Sequence, residues 1–253
     1  MCPPVNSRSL GGFRLIIIHD NRLPVEYARA LKEKLPGVSF VPFSPQTSLD
    51  PKVYELILCH PDIYFFELDA KTIIHAPSVG EKYLSVLRES GLNLIKGNRD
   101  PQGEYPDTAL SNALRVADAV FCNPDCIDKT VFGEIKKRNL KIIEVSQGYT
   151  RCSVLKVNEK ALITADKGIA AGAREAGIEV LLISPGAVHL PGEKYGFIGG
   201  AYGKTRSGKL IFLGDFKLHP DSAAIEDFLF KHSVLYVGAE HLPLYDAGGL
   251  IVW

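Results

Sequence analysis

The sequence predicts an α/β protein, a five-fold pseudosymmetric α/β propeller of ββαβ units closed by the C-terminal strand. Three observations support this prediction. Two short apolar strands, a helix and a third apolar strand recur five times along the chain, and repeats of this length are typical of closed rings. Tight polar turns join the first two strands of a unit, which an open parallel sheet does not require. The first unit lacks one strand, and the C-terminal residues supply one.

The repeats divide the chain into a short tail and one domain. Residues 1–12 are the predicted N-terminal tail, and residues 13–253 are a single predicted domain. Strand closure at the C-terminus would tie the ends of the ring together and remove the open edge of its sheet. The five predicted units cover residues 13–44 with 244–253, then 62–97, 109–146, 151–185 and 195–238.

The fourth unit shows the pattern most clearly. Residues 152–157 and 161–165 are apolar runs of strand length separated by a polar turn. Residues 167–176 have the spacing of an amphipathic helix, and Gly177 ends it. Residues 178–184 then form the third predicted strand. The second and fifth units are likewise predicted to begin directly with strands, at 63–68 and 196–201 respectively.

Capping residues indicate where three of the helices begin. Pro24 suits the first turn of a helix, since its missing N–H has no partner there in any case. Ser78 is the predicted N-cap of the next helix, with Glu81 at the capping-box position. Asp128 is the predicted N-cap of the helix in the third unit.

Composition argues against several classes of partner. The chain has 29 basic and 29 acidic residues and no basic stripe, which argues against nucleic acid. No apolar run reaches about 18 residues, so no membrane span is predicted. The five cysteines have neither disulfide-framework nor zinc spacing. We therefore expect a cytoplasmic protein with no metal and no other cofactor, while the oligomeric state stays open.

The repeats and three short segments resemble the pentein, or guanidino-group modifying, superfamily. The resemblance covers residues 13–253, and the segments are similar to an uncharacterised bacterial branch of that fold. The superfamily includes deiminases, dimethylarginine hydrolases, amidinotransferases and a non-enzymatic ribosome anti-association factor. Its enzymes carry a nucleophilic Cys, a proton-transferring His and cation-binding carboxylates at the axis. The segments are QGYTRCSV (147–154), YGFIGGAYGK (195–204) and LYDAGGLIVW (244–253).

The residues that match the catalytic motifs of that superfamily depart from them. Trp253 stands where the resemblance places the catalytic Cys, and residues 150–152 read Thr-Arg-Cys in place of His-x-Asp. Residues 110–112 read Leu-Ser-Asn in place of Glu-Gly-Gly. Residues 60–62, His-Pro-Asp, keep the acidic residue of an Arg-Asp motif. The resemblance thus implies a site without the usual hydrolase triad, in which Asp62 is a carboxylate for a cation.

Three functional hypotheses follow, and they leave open whether the protein is an enzyme. We favour binding of a small polar metabolite, guanidino or amino-acid-like, in a funnel on the axis. Alternatively, Cys152 is a relocated nucleophile beside Arg151, with His60 or His189 as its base, although free Cys is more often a small buried apolar residue. A third hypothesis is a non-enzymatic role with a macromolecular partner. The expected ligand-binding residues are Asp62, Asn112, Arg151, Tyr202, Lys204 and Asp246.

Overall fold

A computed structural model describes residues 15–46 and 53–253. The predicted tail at 1–12 lies outside these residues. The strands are β1 (Ile16–Asp20), β2 (Ser39–Phe43), β3 (Phe65–Asp69), β4 (Thr72–His75), β5 (Asn93–Lys96), β6 (Leu114–Val116), β7 (Ala119–Cys122), β8 (Lys141–Glu144), β9 (Val154–Asn158), β10 (Ala161–Thr164), β11 (Glu179–Leu182), β12 (Val188–His189), β13 (Tyr202–Lys204), β14 (Leu210–Phe212), β15 (Tyr236–Gly238), β16 (Leu244–Tyr245) and β17 (Ile251–Val252). The α-helices are α1 (Val25–Lys34), α2 (Glu81–Glu89), α3 (Lys129–Lys137), α4 (Thr150–Ser153), α5 (Lys167–Glu175) and α6 (Ser222–Lys231).

The described strands form five three-stranded sheets and one two-stranded sheet. In each three-stranded sheet the middle strand is antiparallel to one neighbour and parallel to the other. A helix connects the two parallel strands, as a parallel crossover requires. The sheet orders are β17-β1-β2, β3-β4-β5, β6-β7-β8, β9-β10-β11 and β13-β14-β15.

The first sheet contains strands from both ends of the described chain. β1 lies antiparallel to β17, with Ile17 opposite Val252 and Ile18 opposite Ile251. All four of these side chains are buried, so the pairing is held by apolar contacts as well as by backbone hydrogen bonds. The C-terminal strand therefore occupies the outer position that a hairpin strand fills in the other four sheets.

Five apolar clusters hold successive sheets together. Phe66 of β3 belongs to the same cluster as Val120 of β7, and Val154 of β9 to the same cluster as Phe121 of β7. The remaining clusters join the fourth sheet to the fifth, the fifth to the first, and the first to the second. Each sheet thus buries apolar side chains against the sheet before it and the sheet after it.

Local sequence explains why the fourth unit folds as it does. β10 is buried along its whole length, which matches an apolar run in the middle of a sheet. The Asp166 carboxylate accepts the Ile169 N–H at 2.8 Å and caps α5. Gly177 follows the helix with φ of 77°, a left-handed conformation that favours glycine.

Three first strands begin later than the sequence predicts, because a single helical turn precedes each of them. Pro61–Ile63 is a 3-10 turn ahead of β3, and Ile198–Ala201 is another ahead of β13. In the fourth unit, α4 occupies the start of the predicted strand and places Cys152 on a helical turn. The Thr150 and Ser153 hydroxyls donate to preceding carbonyls and stabilise this turn, which an apolar pattern does not reveal.

Two further features differ from the sequence-based expectation. Helix α2 begins at Glu81 with Gly80 as its N-cap, so the predicted capping box at Ser78 is wrong. The Ser78 N–H instead donates to the Asp100 carboxylate at 2.6 Å. A short parallel pair, β12 with β16, was also not predicted, because two-residue strands leave no periodic pattern. Among the described residues, no helix is both long enough and apolar enough to span a bilayer.

Candidate functional site

Three side chains from three units meet in one hydrogen-bonded group, which we call the buried cluster: Asp62, Asn112 and Cys152. Asp62 lies on the 3-10 turn before β3, Asn112 lies just before β6, and Cys152 lies on α4. The Cys152 thiol donates to Asp62 Oδ2 at 2.6 Å. All three residues are less than 5% exposed, at 1%, 0% and 4% respectively, so the cluster is shielded from water.

Asn112 joins the other two members of the buried cluster. Its Nδ2 atom donates to Cys152 Sγ at 3.1 Å and to the backbone carbonyl of Asp62 at 3.3 Å. Its Oδ1 atom accepts the Cys152 N–H at 3.1 Å. That N–H lies in the first turn of α4 and has no partner within the helix. A single amide therefore satisfies polar groups from two other units.

Burial changes the protonation of both titratable members of the cluster. Burial raises the pKa of Asp62 to about 6, and the charges of His60 and Arg151 oppose the rise. Burial, followed by the charges of Asp62 and Asp246, raises the pKa of the Cys152 thiol well above its ordinary value. At neutral pH the thiol is consequently protonated and acts as a hydrogen-bond donor to a carboxylate, the opposite of an activated nucleophile.

His60 lies beside carboxylates. Its Nε2 atom is 3.8 Å from Asp20 Oδ2, and its Nδ1 atom is 3.9 Å from Asp246 Oδ1. Asp20 is also held by the Arg22 guanidinium, with Nη2 at 2.6 Å from Oδ2. The structure therefore brings His60 to Asp20 and Asp246, whereas the hydrogen-bond partners of the thiol are Asp62 and Asn112.

Asp246 organises the backbone around the site. Its carboxylate accepts the Phe197 N–H at 2.8 Å and the Gly248 N–H at 3.0 Å. Any side chain at Gly200 would collide with the same carboxylate. The Gly199 and Gly200 pair therefore allows close packing of the backbone against Arg151, Cys152 and Asp246.

Arg151 and Tyr202 form a second pair next to the buried cluster. The Arg151 guanidinium lies 4.8 Å from the centre of the Tyr202 ring, a cation–π distance, and its Nη1 atom donates to the Gly199 carbonyl at 2.7 Å. The Tyr202 hydroxyl accepts the Lys156 N–H at 2.8 Å, which ties β13 to β9. The Arg151 charge is thus fixed in place, and it favours the ionised form of the nearby Asp62 carboxyl.

Asp62, Arg151 and Tyr202 also line a large cavity, which we call the charged cavity. Its volume is about 890 Å³, and its wall includes the first strands and hairpin turns of several units. Ten charged side chains line it, six basic and four acidic, which gives an excess of two positive charges. Lys204 lies in this wall, where its Nζ atom donates to the Val157 carbonyl at 2.9 Å.

The sequence analysis missed four charged residues of the cavity wall. Glu67, Arg115, Lys156 and Glu159 all line the cavity, and none was selected. A signal was available for Glu67, Arg115 and Lys156. Each stands in the middle of the first strand of its unit between apolar neighbours, as Lys204 ends the first strand of the fifth unit. A charged residue within the first strand of four successive units therefore indicates that these strands face a common polar space.

Of the residues that the sequence singled out, four line the cavity: Asp62, Arg151, Tyr202 and Lys204. Asn112 and Cys152 are hydrogen-bonded to Asp62, and His60 lies beside Asp246, but none of these other residues lines the cavity. His189, the other predicted base, is exposed on β12. In the described part of the chain, no group of three or more His, Cys, Asp or Glu side chains is arranged to hold a metal ion.

Comparison with family models places the chain in a family whose function is unknown. A model of a family of unknown function, DUF6873, matches residues 18–251. No curated protein matches the sequence.

Solved structures of two guanidino-modifying enzymes are similar over most of the chain. The agmatine deiminase of C. jejuni has 10% identity and a TM-score of 0.52, covering 89% of this chain and 86% of that one. A variant of the Pseudomonas aeruginosa enzyme DDAH complexed with citrulline has 7% identity and a TM-score of 0.51, covering 89% and 91%. These likenesses confirm the α/β fold of the pentein type and extend to the fold alone.

Proposed function

The chain belongs to DUF6873, a family of unknown function, and from its geometry we propose that it binds a small polar metabolite in the charged cavity. The ligand carries a cationic group, of guanidino or amino-acid type, and Asp62 is the carboxylate that receives it. We also propose that the five sheets close into a five-fold propeller with this cavity on its axis. The cyclic order of the apolar clusters and the β1–β17 pairing support that closure.

One observation carries the proposal. Asp62 Oδ1 is buried and has no hydrogen-bond partner among the described residues, although Asp62 lines the cavity. A buried carboxylate oxygen without a partner costs free energy, and nearly all such atoms in folded proteins are paired. A cation bound at the cavity floor would supply the missing partner and would offset this cost.

The names of the similar solved structures indicate which compounds to test. By their printed names, the similar structures include an agmatine deiminase and a dimethylarginine dimethylaminohydrolase. Agmatine and dimethylarginine both carry guanidinium groups, which pair with carboxylates through fixed, parallel hydrogen bonds. We propose the same class of compound for this chain without the reaction, because Trp253 stands where the resemblance places the nucleophilic Cys.

The environment of Cys152 supports a binding role over Cys-dependent chemistry. The thiol is sealed from water and donates to Asp62, and the pKa of Cys152 is raised. The described cysteines are free and buried, which fits a reducing compartment, and we propose a cytoplasmic location on that basis.

Thermal unfolding in the presence of candidate ligands tests the proposal. The screen contains guanidino compounds, amino acids and nucleotides, and it includes L-citrulline as the uncharged counterpart of L-arginine. A ligand at about 100 times its Kd should add about 2.7 kcal/mol of stability. We expect a guanidinium or ammonium compound to stabilise the wild type and to have no effect on Asp62→Ala.

A matched variant controls for the loss of charge at the cavity. Asp69 lines the same cavity at the end of β3, so Asp69→Ala removes one carboxylate and leaves Asp62 in place. Ligand stabilisation should survive in Asp69→Ala. No stabilising compound in the whole screen would refute the proposal and would favour a macromolecular partner, to be sought by pull-down. Equal stabilisation of the wild type and Asp62→Ala would refute the role of Asp62.

A further inference from the structure

The basic side chains of the charged cavity belong to a series of contacts between neighbouring first strands. Arg115 of β6 donates from Nη1 to the Leu68 carbonyl of β3 at 2.8 Å. Lys156 of β9 donates to the carbonyl of Arg115 at 2.9 Å. Lys204 of β13 continues the series by donating to the Val157 carbonyl of β9. Each contact fastens one unit to the one before it, so these residues have a structural role.

Lys204 differs from the other two in how much of its hydrogen-bonding capacity is used. Arg115 also donates from Nε to the Ala117 carbonyl at 2.9 Å, and Lys156 has a salt bridge to Glu159 at 2.6 Å. Among the described residues, Lys204 Nζ has the Val157 carbonyl as its partner and no carboxylate within 4.0 Å. An ammonium group has three N–H donors, so two of them remain available to the cavity.

The charge of Lys204 is also poorly compensated. Burial, followed by the charge of Lys156, lowers the pKa of Lys204 to about 8. The Glu159 carboxylate that could neutralise it is engaged by Lys156 and by the Ala117 N–H. A cavity with two excess positive charges and an ammonium group without an acidic partner is suited to an anionic group of a ligand.

Two carboxylates and two ammonium groups of the cavity wall stand on different units. Asp62 and Glu67 belong to the second unit, on β3 and the turn that precedes it, whereas Lys156 and Lys204 stand on β9 and β13. The Glu67 side chain is exposed and has no salt bridge among the described residues. A ligand with one positive and one negative group would therefore pair with the carboxylates of the second unit and with the ammonium groups of β9 and β13. A phosphate dianion would be repelled by those carboxylates.

We infer that Lys204 binds the carboxylate of a zwitterionic ligand whose cationic group is held by Asp62. The inference rests on the proposed function and narrows it: the cavity selects an amino-acid-like compound over the corresponding amine. Asp62 recognises the cation that both compounds share, and Lys204 distinguishes them. The carboxylate also supplies the two open N–H donors of Lys204 with an acceptor.

L-arginine and agmatine are suitable probes, because agmatine is arginine without its carboxylate. Calorimetric titration should give a Kd for L-arginine at least about tenfold lower than for agmatine in the wild type, as expected for one charge-assisted hydrogen-bonded pair. In Lys204→Gln the two Kd values should become equal, through weaker binding of L-arginine and unchanged binding of agmatine. Gln keeps a donor for the Val157 carbonyl, and Lys204→Met provides the same test if the Gln variant does not fold.

Lys71→Gln is the matched control, since Lys71 is an exposed lysine at the edge of the same cavity. It removes the same charge and should keep the preference for L-arginine. Equal wild-type affinities for the two probes, or a preference that persists in Lys204→Gln, would overturn the inference while leaving the proposed function intact. Absence of binding by both probes would overturn the inference, while the proposed function would still be decided by the full thermal screen. Agmatine binding that survives in Asp62→Ala would count against the proposed function separately.

Discussion

Asp62 belongs to two polar regions that treat their charged groups in opposite ways. In the buried cluster, Asn112 and Cys152 form hydrogen bonds to each other and to Asp62, and all three residues are shielded from water. In the charged cavity, neither Glu67 nor Lys204 has a salt bridge among the described residues, so both can still bind a group of opposite charge. The hydrogen bonds of the buried cluster specify how three units pack together. The unpaired charged groups of the cavity, in contrast, are free to bind a ligand.

This difference shows where stability and binding should separate. A group whose partners are all internal contributes to folding, and its removal leaves those partners unsatisfied. A group that waits for a ligand contributes little to folding or opposes it. Asp62 belongs to both classes. Its Oδ2 atom accepts a hydrogen bond from the Cys152 thiol, whereas its Oδ1 atom has no partner among the described residues.

The largest expected effect is the loss of Asn112. Asn112→Ala would leave the Cys152 N–H without its acceptor and would remove both contacts of Nδ2. We expect the free energy of unfolding to fall by about 3 kcal/mol, measured by urea denaturation. Asn93→Ala on the exposed face of β5 is the control and should cost less than about 0.5 kcal/mol. A loss below about 1 kcal/mol in Asn112→Ala would show that the cluster does not hold the units together.

A smaller effect of opposite sign is expected at Asp62. The pKa of Asp62 is raised from 3.8 to about 6 by burial, so the folded protein holds this proton more tightly than the unfolded chain. The carboxyl group therefore lowers the free energy of unfolding progressively as the pH rises from about 4 to about 6. We expect Asp62→Asn to stabilise the protein by about 2 kcal/mol at pH 7.5 and by almost nothing at pH 4.

Urea denaturation of the wild type and Asp62→Asn across this pH range measures the effect. Asp118→Asn, on an exposed turn between β6 and β7, should differ from the wild type by less than about 0.5 kcal/mol at every pH. A destabilised Asp62→Asn at pH 7.5 would place Asp62 wholly with the buried cluster. That outcome would remove the main support for a ligand at the cavity floor.

Much of this architecture could be predicted from the sequence, because repetition supports weak local signals. Predicted helix 167–176 corresponds to α5 at Lys167–Glu175, and predicted strand 161–165 to β10 at Ala161–Thr164. Short helical turns at Pro61–Ile63 and α4 could not be predicted, since their stabilising contacts come from residues that become neighbours only in the fold. Local pattern specifies the repeated element, and tertiary contacts decide how each element begins.

The sequence predicted which residues form the candidate site better than it predicted how they are arranged. The motif positions that the resemblance aligns, 60–62, 110–112 and 150–152, contain Asp62, Asn112 and Cys152. Their burial, and the hydrogen bond that makes the thiol a donor to Asp62, depend on packing between units that no single unit encodes. Glu67 lies outside those motif positions, in the centre of β3, so the resemblance gave no indication of its place in the cavity wall.

Cys152 gives the smallest expected effect and separates binding from Cys-dependent chemistry. Cys152→Ala removes a weak donor and a small apolar volume, so we expect a loss of about 1 kcal/mol in the free energy of unfolding. Cys122→Ala, at a fully buried thiol among apolar side chains of β7, is the matched control and should cost a similar amount. Stabilisation by ligand should be unchanged in Cys152→Ala, because the cation is held by Asp62.

Thiol reactivity completes this test. The raised pKa and the burial of Cys152 predict no reaction with iodoacetamide in the native protein at pH 7.5, and full reaction in urea, both read by peptide mass mapping. Rapid native labelling together with turnover of a guanidino compound that Cys152→Ala abolishes would reverse the assignment. The thiol would then be an accessible nucleophile, and the buried cluster would have to open during the reaction. Unreactive thiol and intact ligand binding in the variant would instead leave Cys152 as part of the scaffold that positions Asp62.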